Sequence, residues 1–409
     1  MKVIFPFSYY YPEQCAGIFV VDNLMHRLAA EGDESVIYVP TPTRNVREGV
    51  EWKRKEVLCD GKMVVKRFHM YGEGKNPVLR ALRYCFCELV YLHHLLWDKY
   101  DVAFIDSTPP IQGLKLPIVR LFRKCPVVYN AQDLFPDTLS GTGLAKKGGL
   151  LWKIGSWVAR VTFNNTDKII AISEEIKRTL VEEKGIPADK VVVVYNWVDS
   201  DAVVPIKKEE NPLFEELGLS REKFHVVYAG NLGNAQNINI VVDAAARLRD
   251  IENVEFVVFG SGGLENDIRA RIEAEGLKNL RLLPLQPVER VKYVYSLGDV
   301  CLVSCKEGLG GSAMPSKTWS ILSCGRPVLA NFDEGELQMI LTKNELGVFT
   351  KAGDLNGFVS AIEKLSADPK KCAEMGARGR QFILDNLTKD AGTRKYAEVL
   401  REVAKQVKG

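Results

Sequence analysis

Two hydrophobic patterns alternate along this chain: short continuous apolar runs, and longer stretches in which apolar residues recur every three or four positions. Val3–Phe7 is a short run and predicts a buried strand. A loop with Tyr9, Tyr10, Tyr11 and Pro12 follows. Phe19 to Ala30 places Val20, Leu24 and Leu28 on one helical face, Gly32 closes that helix, and Ser35–Val39 predicts the next strand. Strand, helix, strand in this order begins a parallel sheet covered by helices. Residues 41–77 read as charged loop. Pro77 to Trp97 predicts a long helix, with Leu82, Phe86, Leu89 and Leu96 among its apolar residues. Further strands are expected at Val102–Ile105, Pro126–Tyr129, Lys168–Ile172 and Val191–Tyr195. A helix starts near Leu150, and Ser173 caps another.

Residues 200–222 interrupt the pattern with prolines and a Lys-Lys-Glu-Glu run, the composition of a domain edge. A second series begins at His225. It predicts strands at Val226–Ala229, Val254–Phe259, Leu280–Leu283, Asp299–Val303 and Leu346–Thr350. Helices are predicted at Ile240–Leu248, up to Glu275, near Arg290–Leu297, and at Leu355–Ala367 and Pro369–Leu387. A last helix, Thr388–Val407, lies beyond the second series. The expectation is an α/β chain of two doubly wound Rossmann-like domains, 1–200 and 201–387, with the segment 388–409 packing back towards the first. Sheets of this kind bind ligands outside the carboxyl ends of their strands. The polar strand ends Asp106-Ser107-Thr108 and Asn130-Ala131-Gln132-Asp133 are therefore candidates. Two such domains facing each other would form a cleft suited to a two-substrate transfer that excludes water.

The richest stretch is Ser304 to Ala330. A strand runs out into a loop with Gly308, Gly310 and Gly311, and Pro315 then opens a helix with Ser316 and Lys317 in its first turn. Gly325 ends that helix. A glycine loop entering a helix offers backbone N–H groups to a phosphate, and Lys317 adds a cation beside them. An ordinary strand–loop–helix connection has the same spacing, so both readings stand at this point.

Composition narrows the class without naming a reaction. The 409 residues suit two or more domains, with apolar and charged fractions of an ordinary soluble protein. Met1-Lys2-Val3-Ile4-Phe5 has no secretory signal pattern, and no apolar run approaches a membrane span. The nine cysteines and five histidines show no metal spacing, and the odd cysteine count argues against a disulfide framework. A reducing cytoplasm, no metal site and no cofactor are expected. Net charge is +3, yet residues 62–160 hold 15 Lys/Arg against 7 Asp/Glu. That excess is either a solvated surface or the footprint of an anionic partner. Within it, Lys146, Lys147, Trp152 and Lys153 combine cations with an aromatic, and Arg80 and Arg83 open the long helix. These are the candidate residues for docking on an anionic inner-leaflet surface, with Trp152 and Trp157 as core residues the alternative. No nucleic-acid partner is expected.

The second half resembles the retaining glycosyltransferases of family four, which have the GT-B fold. The resemblance rests on Tyr228-Ala229-Gly230-Asn231-Leu232-Gly233, Phe259-Gly260-Ser261-Gly262-Gly263, Leu297-Gly298-Asp299-Val300, Glu307-Gly308 and Gly325-Arg326-Pro327-Val328. In the first half, Ala16-Gly17 and Asn196-Trp197-Val198-Asp199 are similar to family blocks. Asp133-Leu134-Phe135-Pro136 resembles a block of the subgroup that builds bacterial surface polysaccharides and includes L-fucosamine transferases. The resemblance implies a nucleotide-sugar donor, a lipid-linked saccharide acceptor, and retention of configuration without a metal. It places Gly17, Gly233, Gly260, Gly262, Gly310, Gly311 and Ser316 about the donor, Pro284 and Leu285 at its base, and Glu307 on sugar hydroxyls. It also shows departures. Asn231 and Gln236 stand where the family has an Arg and a Lys on the diphosphate, Ser320 stands where it has a second glutamate, and Gln132 replaces a histidine.

Transfer breaks a C1–O–phosphate bond, and negative charge grows on the leaving diphosphate. Lys317 is the candidate to meet that charge, Glu307 to hold the sugar, and Asp133 to accept the proton of the acceptor hydroxyl. A UDP-sugar is the expected donor, from the subgroup resembled. Two other classes share these features: a phosphorylase or epimerase of the same fold, and a sugar-nucleotide-binding protein with reduced catalysis.

Overall fold

The structure, a computed structural model, describes residues 1–13, 17–43, 46, 50–72, 76–137, 146–310 and 314–406. It divides into two compact units, Met1–Tyr195 with Asp390–Gly409, and Asn196–Lys389.

The first unit has an eight-stranded sheet. Its strands are β1 (Lys2–Pro6), β2 (Glu34–Pro40), β3 (Lys55–Leu58), β4 (Met63–Phe68), β5 (Val102–Asp106), β6 (Val127–Ala131), β7 (Lys168–Ala171) and β8 (Val191–Val193). They lie in the order β3-β4-β2-β1-β5-β6-β7-β8, parallel throughout except for the antiparallel pair β3–β4. Its connecting helices are α1 (Ile18–Ala30), α2 (Pro77–Trp97), α3 (Leu116–Phe122), α4 (Leu150–Asn164) and α5 (Glu174–Arg178). Ser173 caps α5 through its hydroxyl, which accepts the Ile176 N–H at 3.1 Å.

Residues 41–77 differ from the loop expected of them. Met63, Val65 and Arg67 of β4 alternate inward, in period two. Charges at Lys55, Glu56, Lys66 and Arg67 concealed the pattern. Arg67 is tolerated inside because its guanidinium donates to the carbonyls of Lys53 at 2.7 Å and Tyr11 at 2.6 Å. β3 then closes the sheet with a short, charged strand, a common way to blunt an edge. The short α3 was also not foreseen from the sequence.

The second unit has a six-stranded, all-parallel sheet: β9 (Phe224–Asn231), β10 (Val254–Ser261), β11 (Leu280–Leu283), β12 (Val300–Ser304), β13 (Val328–Phe332) and β14 (Gly347–Lys351). Its order is β11-β10-β9-β12-β13-β14. The helices are α6 (Leu213–Glu216), α7 (Asn239–Arg247), α8 (Glu265–Glu275), α9 (Val291–Leu297), α10 (Lys317–Ser323), α11 (Glu336–Lys343), α12 (Leu355–Ala367) and α13 (Pro369–Asn386). Strands buried on both faces give this sheet near-continuous apolar runs, as in Phe256, Val257, Val258 and Phe259. The last helix, α14 (Lys389–Gln406), packs within the first unit: Tyr396 and Leu400 are buried, and Arg401 pairs with Asp33 at 2.6 Å.

Among its parallel strands each sheet reverses its order once, between β1 and β5 in the first unit and between β9 and β12 in the second. Such reversals leave a crevice outside the carboxyl ends of the two strands, because the neighbouring connections depart to opposite sides.

Candidate active site

In the second unit the crevice forms where β9 ends. Tyr228 points its ring to the site and donates its hydroxyl to the Asn231 carbonyl at 2.8 Å. The Lys317 Nζ lies over that ring, 4.1 Å from its centroid. Gly230 has φ of +148°, and a Cβ there would stand 2.7 Å from the same Nζ, so only glycine leaves the ammonium its place. Among the described residues no carboxylate pairs with Lys317. Burial pushes its pKa down to about 8. A cation held on an aromatic face without a counter-ion is poised for an anionic ligand.

The flanking loop is closely built. Asn231 Nδ2 donates to Gln236 Oε1 at 3.3 Å, and both side chains crowd the position a Gly233 Cβ would take. Ser304 Oγ donates to the Gln236 carbonyl at 2.6 Å, which ties this loop to the end of β12. Gly260 and Gly262 let the β10 loop approach the β9 loop: Cβ atoms there would meet the Gly230 and Leu232 carbonyl oxygens, each at 2.7 Å. Their role within the protein is close packing of loops. Pro284 and Leu285 are exposed just after β11, with Gln286 Nε2 donating to the Pro284 carbonyl at 3.3 Å.

The glycine loop behaves differently from its expected role. The N–H groups of Gly308 and Gly310 donate to the two oxygens of Asp333, at 3.0 and 2.7 Å. Those donors serve the fold, and Gly310 offers no free N–H to a phosphate. The physical reason is Asp333 itself, which follows β13 and brings a carboxylate under the loop. Gly311 and Ala16 lie outside the described residues. Helix α10 starts at Lys317 with Ser316 as its N-cap, so Lys317 stands in the first turn. Ser316 is exposed, Ser320 half-buried, and Glu307 exposed on the loop. Tyr228 as a platform for Lys317 was not assigned from sequence. Its signal was the aromatic two positions before Gly230, on the same side of the strand.

In the first unit a polar cluster lies at the carboxyl ends of β5 and β6. Asp106 accepts from Asn130 Nδ2 at 2.9 Å, and Asn130 Oδ1 accepts from Gln132 Nε2 at 3.1 Å and the Tyr396 hydroxyl at 2.9 Å. Burial raises the Asp106 pKa to about 7. Asp133 is exposed after β6, and desolvation raises its carboxyl pKa. Gly17 precedes α1 with open space where a Cβ would be. Arg83 requires a correction. It is 1% exposed, and its guanidinium donates to the carbonyls of Tyr71 at 2.8 Å and Thr41 at 3.2 Å. It braces loops inside the unit and is not available to an acceptor or a membrane. Arg80 and Trp152 are half-buried, whereas Lys146, Lys147 and Lys153 are exposed. Among the described residues no cluster of three or more His, Cys, Asp or Glu could hold a metal ion.

Residues 19–202 match Glycosyltransferase Family 4, and residues 209–382 match Glycosyl transferases group 1. WcaI of Escherichia coli K12, assigned by name to colanic acid biosynthesis as a glycosyl transferase, is 31% identical over 80% of this chain and 82% of its own. The chain belongs to the family-four glycosyltransferases. Among solved structures, sucrose-phosphate synthase from Thermosynechococcus elongatus superposes with a TM-score of 0.75 at 16% identity, covering 98% of each chain. Anabaena HepE in complex with UDP gives a TM-score of 0.73 at 16% identity, covering 98% of this chain and 100% of its own. At that identity these likenesses show the fold, which is GT-B. In this family-four glycosyltransferase the half-buried Lys317 stands at the β9 end beside the uncharged Asn231 and Gln236.

Proposed function

We propose that this glycosyltransferase moves a sugar from a UDP-sugar to a lipid-linked saccharide acceptor in bacterial surface polysaccharide synthesis. The unpaired Lys317 ammonium at the β9 switch point carries the reading. The UDP complex of HepE supports the uridine, and the likeness to WcaI supports the polysaccharide. Transfer is read as retaining and metal-independent, at the inner face of the plasma membrane. Lys317 binds the diphosphate and stabilises its growing charge. Glu307 holds the sugar hydroxyls, and the base lies by the Pro284–Leu285 backbone. Asp133 accepts the acceptor proton, a role helped by its raised pKa.

The test is a thermal-shift panel of UDP-, GDP- and ADP-sugars, followed by transfer assays with a lipid extract. Stabilisation by GDP at far lower concentration than UDP would remove the uridine assignment. Consumption of the donor with free phosphate alone would favour a phosphorylase.

Two further outcomes are expected. UDP-sugar affinity should fall as pH rises through about 8, because Lys317 loses its proton there in the free protein and keeps it beside the bound diphosphate. The fall approaches about tenfold per pH unit for one coupled proton. Lys317→Arg should flatten that profile, since a guanidinium does not titrate in this range. A wild-type profile that stays flat between neutral and mildly alkaline pH would contradict the role. Glu307→Gln should lower turnover by about 100-fold while UDP affinity stays within about twofold, the split expected of a contact to the sugar alone. Equal loss of UDP affinity would move Glu307 to the nucleotide.

A further inference from the structure

The outer layer of the first unit is apolar where solvent would be expected. On α2 the buried residues are Arg83, Cys87, Tyr91 and Leu95, spaced four apart. The opposite stripe runs through Leu82, Phe86, Leu89 and Trp97, and all four are exposed. On α3, Leu116 and Val119 face the core, while Leu121 is 78% and Phe122 73% exposed. On α4, Ala159 and Phe163 are buried, while Leu150, Ile154 and Trp157 are exposed, Leu150 by 75%.

The buried sides of these three helices join one core cluster on one side of the sheet. Their outward stripes therefore share one outer layer. Continuity is direct: Lys115, just before α3, donates to Glu88 of α2 at 2.6 Å, and Gly113 lies so close to α4 that a Cβ would strike Thr162.

Cations fringe this layer. Lys124, Lys146, Lys147, Lys153 and Arg160 are exposed, and none has a carboxylate partner among the described residues. Glu88 is the one acid within α2, α3 and α4, and it is held by Lys115. Leu, Phe and Trp on a surface rimmed by unpaired Lys and Arg match the acyl–headgroup boundary of an anionic bilayer. A twofold contact with a second copy would set these cations against each other. No helix among the described residues is long and apolar enough to cross a membrane.

We propose that the outward faces of α2, α3 and α4 form one interfacial docking surface that inserts Phe86, Leu89, Leu121, Phe122, Leu150 and Trp157 into an anionic membrane. The inference rests on the lipid-linked acceptor proposed above. It differs from docking by charge alone, because apolar insertion survives salt that screens cations.

The test is co-sedimentation of the full chain with phosphatidylcholine vesicles, with and without about a third phosphatidylglycerol, at about 0.15 M and 1 M salt. Strong binding to anionic vesicles is expected, weakened but retained at high salt. The variant F86S/L121S/L150S should lose about tenfold or more in partitioning. Its UDP-induced thermal shift should be unchanged, which establishes that it folds. Brominated acyl chains should quench wild-type tryptophan emission, and W97F/W157F should lose that quenching. Absence of vesicle binding, equal binding by the serine variant, or binding abolished by salt would overturn the proposal. So would a dimer of the wild type that the serine variant abolishes, which would assign the face to a second copy. A wild type that binds UDP but not anionic vesicles refutes the docking surface alone, and a wild type that binds the vesicles but not UDP refutes the donor reading alone.

Discussion

Lys317→Met is expected to weaken UDP-sugar binding by about 10- to 100-fold, the equivalent of one charge-assisted contact worth ~1.5–3 kcal/mol. The diphosphate of a nucleotide sugar brings about two negative charges to the site, and a helix N-terminus supplies only about half a unit of positive charge. The loop at 231–236 offers no cation, and the N–H groups of Gly308 and Gly310 are held by Asp333. Lys317 is left to carry the contact. Turnover at saturating donor should fall as well, because charge on the leaving group grows towards the transition state. Stability should move the other way. Burial holds the Lys317 pKa at about 8, below the ordinary lysine value of 10.5, so the charged form is disfavoured in the folded protein. Its destabilising contribution is present below about pH 8 and disappears as pH rises towards the unfolded value. Methionine removes it, so the free variant should melt no lower than wild type. Calorimetric titration of UDP and a UDP-sugar, with the exposed Lys343→Met as control, decides the matter. Affinities within about twofold of wild type would remove Lys317 from the donor site.

Trp319→Ala should destabilise the second unit by about 3–5 kcal/mol. Trp319 is buried on α10 and stacks on Phe382 of α13, with ring centroids 6.5 Å apart. The two helices approach closely: a Cβ on Gly379 would stand 2.7 Å from Leu322 Cδ2, and one on Gly376 would stand 2.1 Å from the Gly325 carbonyl oxygen. With backbones so near, little can move in to fill the space an indole leaves, and the cavity persists. Lys317 lies two residues before Trp319 on the same short helix, so the UDP-induced thermal shift should shrink with stability. Denaturant titration reads the first effect, and a loss below about 1 kcal/mol would show that α13 does not anchor α10.

The alternation of apolar runs and helical spacings determined by itself that the chain forms two parallel α/β sheets, because strand and helix periodicities are local. It also determined the Ser173 cap and the position of Lys317 in a first helical turn, both set within a few residues. Family blocks at 228–233, 259–263 and 307–308 identified the family without a structure. What the sequence left open depended on partners far away in the chain. Arg83 read as a surface cation at a helix start, yet the carbonyls of Thr41 and Tyr71 fold over it and make it an internal brace. The β3–β4 hairpin was hidden because Arg67 finds its acceptors at Tyr11 and Lys53. The glycine loop read as a phosphate cradle until Asp333, more than twenty residues on, proved to take the N–H groups of Gly308 and Gly310. Lys317 could be named from sequence, but its seat on Tyr228 beside Gly230 required β9 and α10 to meet. The apolar outer stripes of α2, α3 and α4 follow the same rule. Helical spacing shows that a helix has an apolar face, and only packing decides which face the sheet covers and which is left outside.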